Sequence, residues 1–193
     1  FTADETEGYT AQEAAIKNDR LSKQDDGTFV LVRNNQQRYE FSSSGQLLRY
    51  FDRFGHSLTM SHDTSNRLVR VSEDLSGQSL SFAYNDNGLI ERAFDSANRQ
   101  VGFVYDTSQN LIEITDVNGY KTNYTYNADG QVLSCTKDGT QVFSNTYDDQ
   151  GRLISQKDAE PSHNSGTFTY DDISSPGELI TTYTDRNGNS KVY

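Results

Sequence analysis

A repeating interval of about 21 residues constrains this chain more than any other feature. An aromatic residue or His, usually followed by Asp or Asn, is trailed by Gly four positions on and by an aliphatic residue six positions on. The anchors are Phe41, His62, Tyr84, Tyr105, Tyr126, Tyr147 and Tyr170, at steps of 21, 22, 21, 21, 21 and 23. The Gly position holds Gly45, Gly88, Gly130 and Gly151, with Asn66 and Gln109 standing in. The aliphatic position holds Leu47, Leu68, Ile90, Leu111, Val132 and Leu153. A fixed period of this size marks an array in which each unit buries its apolar surface only against its neighbours.

Two turn signals alternate within each period. The first follows the anchor, as in Asn85 to Gly88, Asn127 to Gly130 and Asp148 to Gly151. Asp or Asn leads and Gly closes, as a type I turn ending in a left-handed residue requires. The second is an Asp-x-x-Gly class: Asp52 to Gly55, Asp74 to Gly77, Asp116 to Gly119 and Asp185 to Gly188. Two strands of about six residues and two short turns fill the period, so each repeat is predicted to be a β-hairpin. The expected class is all-β: six to seven tandem antiparallel hairpins forming a long sheet that twists or curls.

The second strand of each repeat alternates cleanly, as in Leu80, Phe82, Tyr84 and Thr122, Tyr124, Tyr126, which sets an aromatic column on one face. The first strand does not. Doublets such as Leu47-Leu48, Leu68-Val69, Leu111-Ile112 and Leu153-Ile154 mean either that both faces are partly covered or that a bulge redirects the first residue.

Around the array the chain divides into residues 1–24, an acidic segment with a short capping helix; 25–41, a lead-in hairpin; and 42–193, the repeats. The helix is expected from Thr10-Ala11-Gln12-Glu13, a capping box ahead of Ala14, Ala15 and Ile16. In the lead-in, Thr28 to Arg33 is strongly β-prone and Asn34-Asn35 is the expected two-residue turn. Polar loops are expected at 160–166 and 174–177. The chain starts at Phe1 without a leader pattern, and Tyr193 stands where another aromatic strand would begin, so the array reads as an excised piece.

Composition bounds the partners. With 17 Lys and Arg against 28 Asp and Glu, the formal charge is −11, which disfavours nucleic acid and anionic membrane surfaces. No run approaches the length of a membrane span, which argues against membrane insertion. Cys135 has no partner for a disulfide, and its place in the repeat, matching Val71 and Ile114, suits a small buried hydrophobe.

The copies YDTSQNLIEITDVNG, YNADGQVLSCTKDG and YDDQGRLISQKD, with weaker ones at FSSSGQLLRYFDRFG and HDTSNRLVRVSEDLSG, resemble the RHS or YD-repeat family. The resemblance covers about Gln24 to Tyr193 and includes the lead-in QDDGTFVLVRNNQQRYEF. Bacterial Rhs and wall-associated proteins, the insecticidal Tc toxins and the animal teneurins belong to that family. It implies a β-strip spiralling into a hollow shell around a C-terminal toxin or effector polypeptide, in a secreted or cell-surface protein. The family's self-cleavage segment, with a DPxGL-like stretch, has no counterpart here, so no catalytic residue is carried over.

The residues themselves point to no catalytic, metal or cofactor site. His56, His62 and His163 share no ligand spacing, and His62 replaces an anchor Tyr, which favours a partly buried structural imidazole. Asp185-Arg186-Asn187-Gly188-Asn189 lacks the spacing and distal Glu of a calcium loop. The leading expectation is therefore a non-enzymatic shell module whose partners are further repeats and a toxin or effector of the same protein. The alternative is a carbohydrate- or cell-wall-binding module contacting cell-wall or host glycans through Phe82, Phe103 and Tyr124. Burial of those rings against neighbouring repeats favours the shell, and exposure favours the glycan reading. Exposed strand edges also make self-association of copies an expectation.

Overall fold

The structure, a computed structural model, describes residues 2–3, 8–10, 18–159, 165–171 and 180–193. Among them there is no helix, and all regular structure is β-strand. The helix expected after Thr10 falls on residues 11–17, outside the described residues, and Thr10 itself closes a strand. The expected polar loops lie largely outside them too, at 160–164 and 172–179.

The chain divides into two compact units, residues 1–100 and 101–193. The first contains β1 (Thr2–Ala3), β2 (Gly8–Thr10), β3 (Arg20–Lys23), β4 (Phe29–Val32), β5 (Arg38–Phe41), β6 (Leu47–Phe51), β7 (Ser57–His62), β8 (Leu68–Glu73), β9 (Ser79–Tyr84) and β10 (Ile90–Asp95). Each strand pairs antiparallel with the next. The second contains β11 (Gln100–Tyr105), β12 (Leu111–Thr115), β13 (Lys121–Tyr126), β14 (Val132–Lys137), β15 (Thr140–Tyr147), β16 (Leu153–Asp158), β17 (Gly166–Asp171), β18 (Ile180–Thr184) and β19 (Ser190–Val192). It too is a meander of consecutive antiparallel pairs. Among the described residues of this unit, the end strands β11 and β19 pair with β12 and β18.

The turns recur with one geometry. In the loop from Asp106 to Asn110, the Gln109 amide donates to the Asp106 carbonyl and the Asp106 amide to the Asn110 carbonyl, each at 3.0 Å. The same pair of bonds recurs at Ser42, Asp52, Asp63, Asn85, Asp95, Asp116, Asn127, Asp148 and Asp185. This is a three-residue hairpin loop, a type I turn plus one left-handed residue. Gly130 takes that conformation at φ 78°, and Gln109, lacking glycine's freedom, at φ 67°.

Two expectations about turns are corrected by the observed geometry. In the lead-in the left-handed residue is Gln36 (φ 68°), so the loop runs from Arg33 to Gln37 and is not a two-residue turn at Asn34-Asn35. The turn assigned to Asp74 begins instead at Glu73: Gly77 donates to the Glu73 carbonyl, and the Glu73 carboxylate accepts the Leu75 and Ser76 amides. Asp138-Gly139, with φ 48° and 79°, forms a two-residue loop that joins β14 to β15. Both central residues at positive φ suit the right-handed twist of the flanking strands.

A β-carbon at Gly130 would meet nothing nearer than Asn110 Oδ1 at 3.7 Å, so the cost of a side chain there is backbone strain rather than collision. Gly130→Val is expected to destabilise by more than about 1 kcal/mol, and Gln109→Gly to raise stability by up to about 1 kcal/mol. Thermal melting of the two variants checks both signs.

Candidate functional site

The signature residues meet in one place per repeat. Six of the seven anchors lie directly opposite the aliphatic residue of their own repeat, and Tyr170 lies opposite Thr181: Phe41 is opposite Leu47, His62 opposite Leu68, Tyr84 opposite Ile90. Tyr105 lies opposite Leu111, Tyr126 opposite Val132 and Tyr147 opposite Leu153. One step further the register slips at each of these six. Val104 faces Glu113 and Ile112 is left over, and likewise Thr125 faces Ser134 past Leu133. Two residues on one strand thus oppose one on the other, which is a β-bulge. The bulge settles the aliphatic doublets. Leu111, opposite Tyr105, and Ile112, two residues before Ile114, both join the face that carries Phe103.

The bulge also explains why the anchor is tyrosine. Pairing of β12 with β13 runs from Thr115 and Lys121 to Glu113 and Asn123 and stops short of Leu111. The Leu111 carbonyl lies beyond that ladder, and Tyr126 Oη donates to it at 2.7 Å. The same bond joins Tyr84 to the Leu68 carbonyl at 2.7 Å, Tyr147 to Val132 at 2.8 Å and Tyr170 to Leu153 at 2.8 Å. Each hydroxyl therefore stands in for a backbone N–H and fastens one repeat to the one before it. Burial pushes the Tyr126 phenol above its ordinary pKa, so it remains a neutral donor.

The residue after the anchor holds the turn. Asp148 Oδ1 accepts the Gln150 amide at 3.0 Å and the Arg152 amide at 2.8 Å, while Oδ2 accepts Arg152 Nε at 2.7 Å. Asp63 and Asp106 do the same with Ser65 and Arg67 and with Ser108 and Asn110. Backbone donation from Arg67 and Arg152 chiefly lowers the Asp63 and Asp148 pKa, and the Asn110 side-chain amide chiefly lowers that of Asp106. Ionised and already accepting, these carboxylates are turn clamps rather than proton donors.

One recurrent contact is carried by residues that the sequence reading passed over. Five residues after the anchor, Arg67 stacks over the Tyr84 ring at 4.5 Å and Arg152 over the Tyr170 ring at 4.6 Å. Gln131, at the same position, donates Nε2 to the Gly151 carbonyl at 2.5 Å. Each reaches the next repeat. The available signal was a long polar side chain just before the aliphatic position.

The three candidate glycan contacts share the anchors' face and are half-buried. Phe82 lies opposite Ala93, Phe103 opposite Ile114 and Tyr124 opposite Cys135. Cys135 is 5% exposed, between Tyr124 and Phe143 on the flanking strands, as a small hydrophobe should be. His62 is half-buried. On the same face, the second unit has a hollow of about 350 Å³ lined by Phe143, Phe168, Tyr183, Gln156, Asp158 and Arg186. The Phe168 and Tyr183 rings lie 4.8 Å apart, and Asp158 pairs with Arg186. The Tyr183 ring covers Gly166 so closely that a β-carbon there would sit 3.2 Å from it.

The opposite face is lined with hydroxyls. In the second unit Thr125 pairs with Ser134, Ser134 with Ser144, Thr146 with Ser155, Ser155 with Thr167, Thr167 with Thr184 and Thr184 with Ser190. In the first unit that face carries a polar knot. Asp74 accepts Ser57 Oγ at 2.6 Å, Arg49 Nη2 at 2.7 Å and Thr59 Oγ1 at 2.9 Å. Those bonds, Ser57 first, hold its pKa down at about 2. Among the described residues no three His, Cys, Asp or Glu are grouped to hold a metal ion.

Comparison with known proteins agrees with this geometry. The family described as Teneurin YD-shell matches residues 56–193. The chain belongs to that family. A protein of Burkholderia cenocepacia (strain H111), double-stranded DNA deaminase toxin A, is 27% identical over 142 residues, covering 74% of this chain and 10% of that protein. The crystal structure of TcdB2-TccC3-Cdc42 superposes with a TM-score of 0.56 at 13% identity, over 82% of this chain and 11% of that one. TcdB2-TccC3 without its hypervariable C-terminal region gives 0.57 at 11% identity, over 91% and 11%. The chain thus has the fold of a stretch of the two solved structures and spans about a tenth of the length of each of the three proteins.

Tyr126→Phe removes a donor from the partly buried Leu111 carbonyl and is expected to cost about 1 kcal/mol, read as a lower melting temperature. Acid should loosen the YD-shell repeats as well. Asp74 has a folded pKa of about 2 against an ordinary 3.8, so its stabilisation is complete above the ordinary value and is lost as pH falls through about 2. The turn aspartates shift in the same direction. Melting temperature should therefore hold steady above the ordinary carboxylate range and fall below it, and Asp74→Asn should flatten part of that fall.

Proposed function

We propose that this chain is a non-enzymatic wall segment of a secreted or cell-surface YD-repeat protein, part of a β-shell that encloses or displays a C-terminal toxin or effector polypeptide. The observation that carries this reading is the repeat-to-repeat fastening by Tyr84 in the first unit and by Tyr126, Tyr147 and Tyr170 in the second, in meanders with no side chain under 2% exposed among the described residues. Such a sheet extends by adding hairpins and does not close around a core of its own, which suits a wall. The family match and the fold of the TcdB2-TccC3 structures support the same reading. In it, residues 1–24 precede the wall, 25–41 lead in, 42–193 are wall repeats, and the partners are further repeats and the enclosed polypeptide.

The glycan reading of Phe82, Phe103 and Tyr124 has less support, because those rings are half-buried in packing between strands. Edge pairing between copies remains a proposal for the isolated chain, since outer strands carry unpaired backbone groups.

Protease protection tests the wall reading. In the longer protein to which it assigns this chain, the C-terminal polypeptide should resist protease while the YD repeats are folded, and become sensitive on acidification or in a Tyr126→Phe, Tyr147→Phe double variant. A C-terminal polypeptide equally sensitive in all states would overturn the reading.

A further inference from the structure

Six Asp-Gly or Asn-Gly steps occur in the chain: Asp26-Gly27, Asn87-Gly88, Asn118-Gly119, Asp129-Gly130, Asp138-Gly139 and Asn187-Gly188. Such a step can rearrange without an enzyme, because glycine leaves the following backbone nitrogen unhindered to attack the side-chain carbonyl carbon. In an unfolded chain the Asn-Gly steps go first, since ammonia leaves an amide more readily than water leaves a carboxyl group. All six Asp and Asn residues are exposed, so access of water does not rank them. The glycine amide does. Five of the glycines donate it to the carbonyl three residues back: Gly27 to Gln24 and Gly88 to Asn85 at 2.9 Å, Gly119 to Asp116 and Gly188 to Asp185 at 3.0 Å, and Gly130 to Asn127 at 3.1 Å. Gly139, in the two-residue loop between β14 and β15, donates its amide to none of the described residues.

We propose that Asp138-Gly139 is the site at which the folded protein modifies itself, forming a succinimide and then isoaspartate, while the turns hold the other steps, the Asn-Gly pairs included, unreactive. The Gly139 nitrogen bonds to Asp138 Cγ, and its hydrogen leaves with the hydroxyl of the protonated carboxyl group as water. Water then opens the ring. Attack at the former side-chain carbonyl returns aspartate; attack at the backbone carbonyl gives isoaspartate, with no net change in atoms. In the other steps the attacking N–H is already committed to a carbonyl, and giving up that bond first slows ring closure by roughly five- to tenfold. The two-residue loop has no such bond to give up, because the chain reverses through positive φ at both Asp138 and Gly139 and the ladder resumes at Thr140. The consequence reaches the neighbouring strand. Asp138 donates its amide to the Lys121 carbonyl at 2.8 Å, and its Oδ1 accepts the Lys121 amide at 2.9 Å, which leaves Oδ2 as the oxygen that departs. Isoaspartate adds a methylene to the main chain and turns the side chain into backbone. Both bonds to the start of β13 are then lost, which frees one end of the β13–β14 hairpin.

Peptide mapping by mass spectrometry after prolonged storage tests this, on the wild type and on Asp138→Asn, which gives this loop the same leaving group as the Asn-Gly pairs. Asn suits the first position of such a loop, and a melting curve checks that the variant is folded. In the folded variant, position 138 should deamidate roughly fivefold faster, or more, than Asn87, Asn118 and Asn187, and in denaturing urea the rates should converge. In the folded wild type, isoaspartate should accumulate at Asp138 ahead of Asp26 and Asp129, and the aged fraction should melt at a lower temperature. Deamidation of Asn87, Asn118 or Asn187 in the folded variant as fast as at position 138 would overturn the proposal. A ranking that persists unchanged in urea would overturn it too, by assigning the difference to local sequence instead of the turns. So would wild-type isoaspartate appearing at Asp26 or Asp129 no later than at Asp138, a comparison that stands even if the variant does not fold.

Discussion

The hydrogen bond from an anchor tyrosine to a carbonyl of the preceding repeat is the interaction on which this structure depends. A bulge recurs beside six of the seven anchors, and where β12 meets β13 the ladder between one repeat and the next stops short of it. The carbonyl stranded there, Leu111 in one case, would be a partly buried acceptor without a partner. Tyr126 supplies the missing donor at 2.7 Å, and the ring that carries it covers apolar surface on the way. One side chain thus corrects the defect made by the bulge and joins two repeats.

The turns solve a related problem with charge. A hairpin loop of three residues exposes backbone amides that no strand can satisfy, and a carboxylate or amide side chain at its first position accepts two of them. Arg67 and Arg152 extend the device. Each neutralises the Asp of its own turn and lays its guanidinium on the tyrosine ring of the next repeat. Much of the excess negative charge is therefore tied up in turn geometry, and the protein's acidity reflects how its loops are built.

A sheet of one layer has no interior in the usual sense. Its cohesion comes from rows of side chains packed across strands on one face, with Tyr124, Cys135 and Phe143 forming one such row. That arrangement accounts for the scarcity of deeply buried residues and for the half-burial of nearly every aromatic. It also leaves the faces unlike each other.

The period, the alternation of the second strand and the Asp-to-Gly turns were legible in the sequence because each is a local rule: two residues per pleat, positive φ at one turn position, an acceptor side chain two residues before an amide. Phe41, Tyr84 or Tyr147 could be placed on a strand from such rules alone. The meaning of the doublets could not, since Leu111-Ile112 reads identically whether both faces are covered or a bulge intervenes, and only the pairing with Tyr105 and Val104 decides. The same holds for the lead-in turn, where Asn34, Asn35 and Gln36 all tolerate the loop and strand register selects Gln36 for positive φ. Which residues recur is set by the chain itself; which of them touch was decided by the tertiary structure, because the tyrosine-to-carbonyl bond spans 15 residues at Tyr126 and exists only once two neighbouring strands have paired.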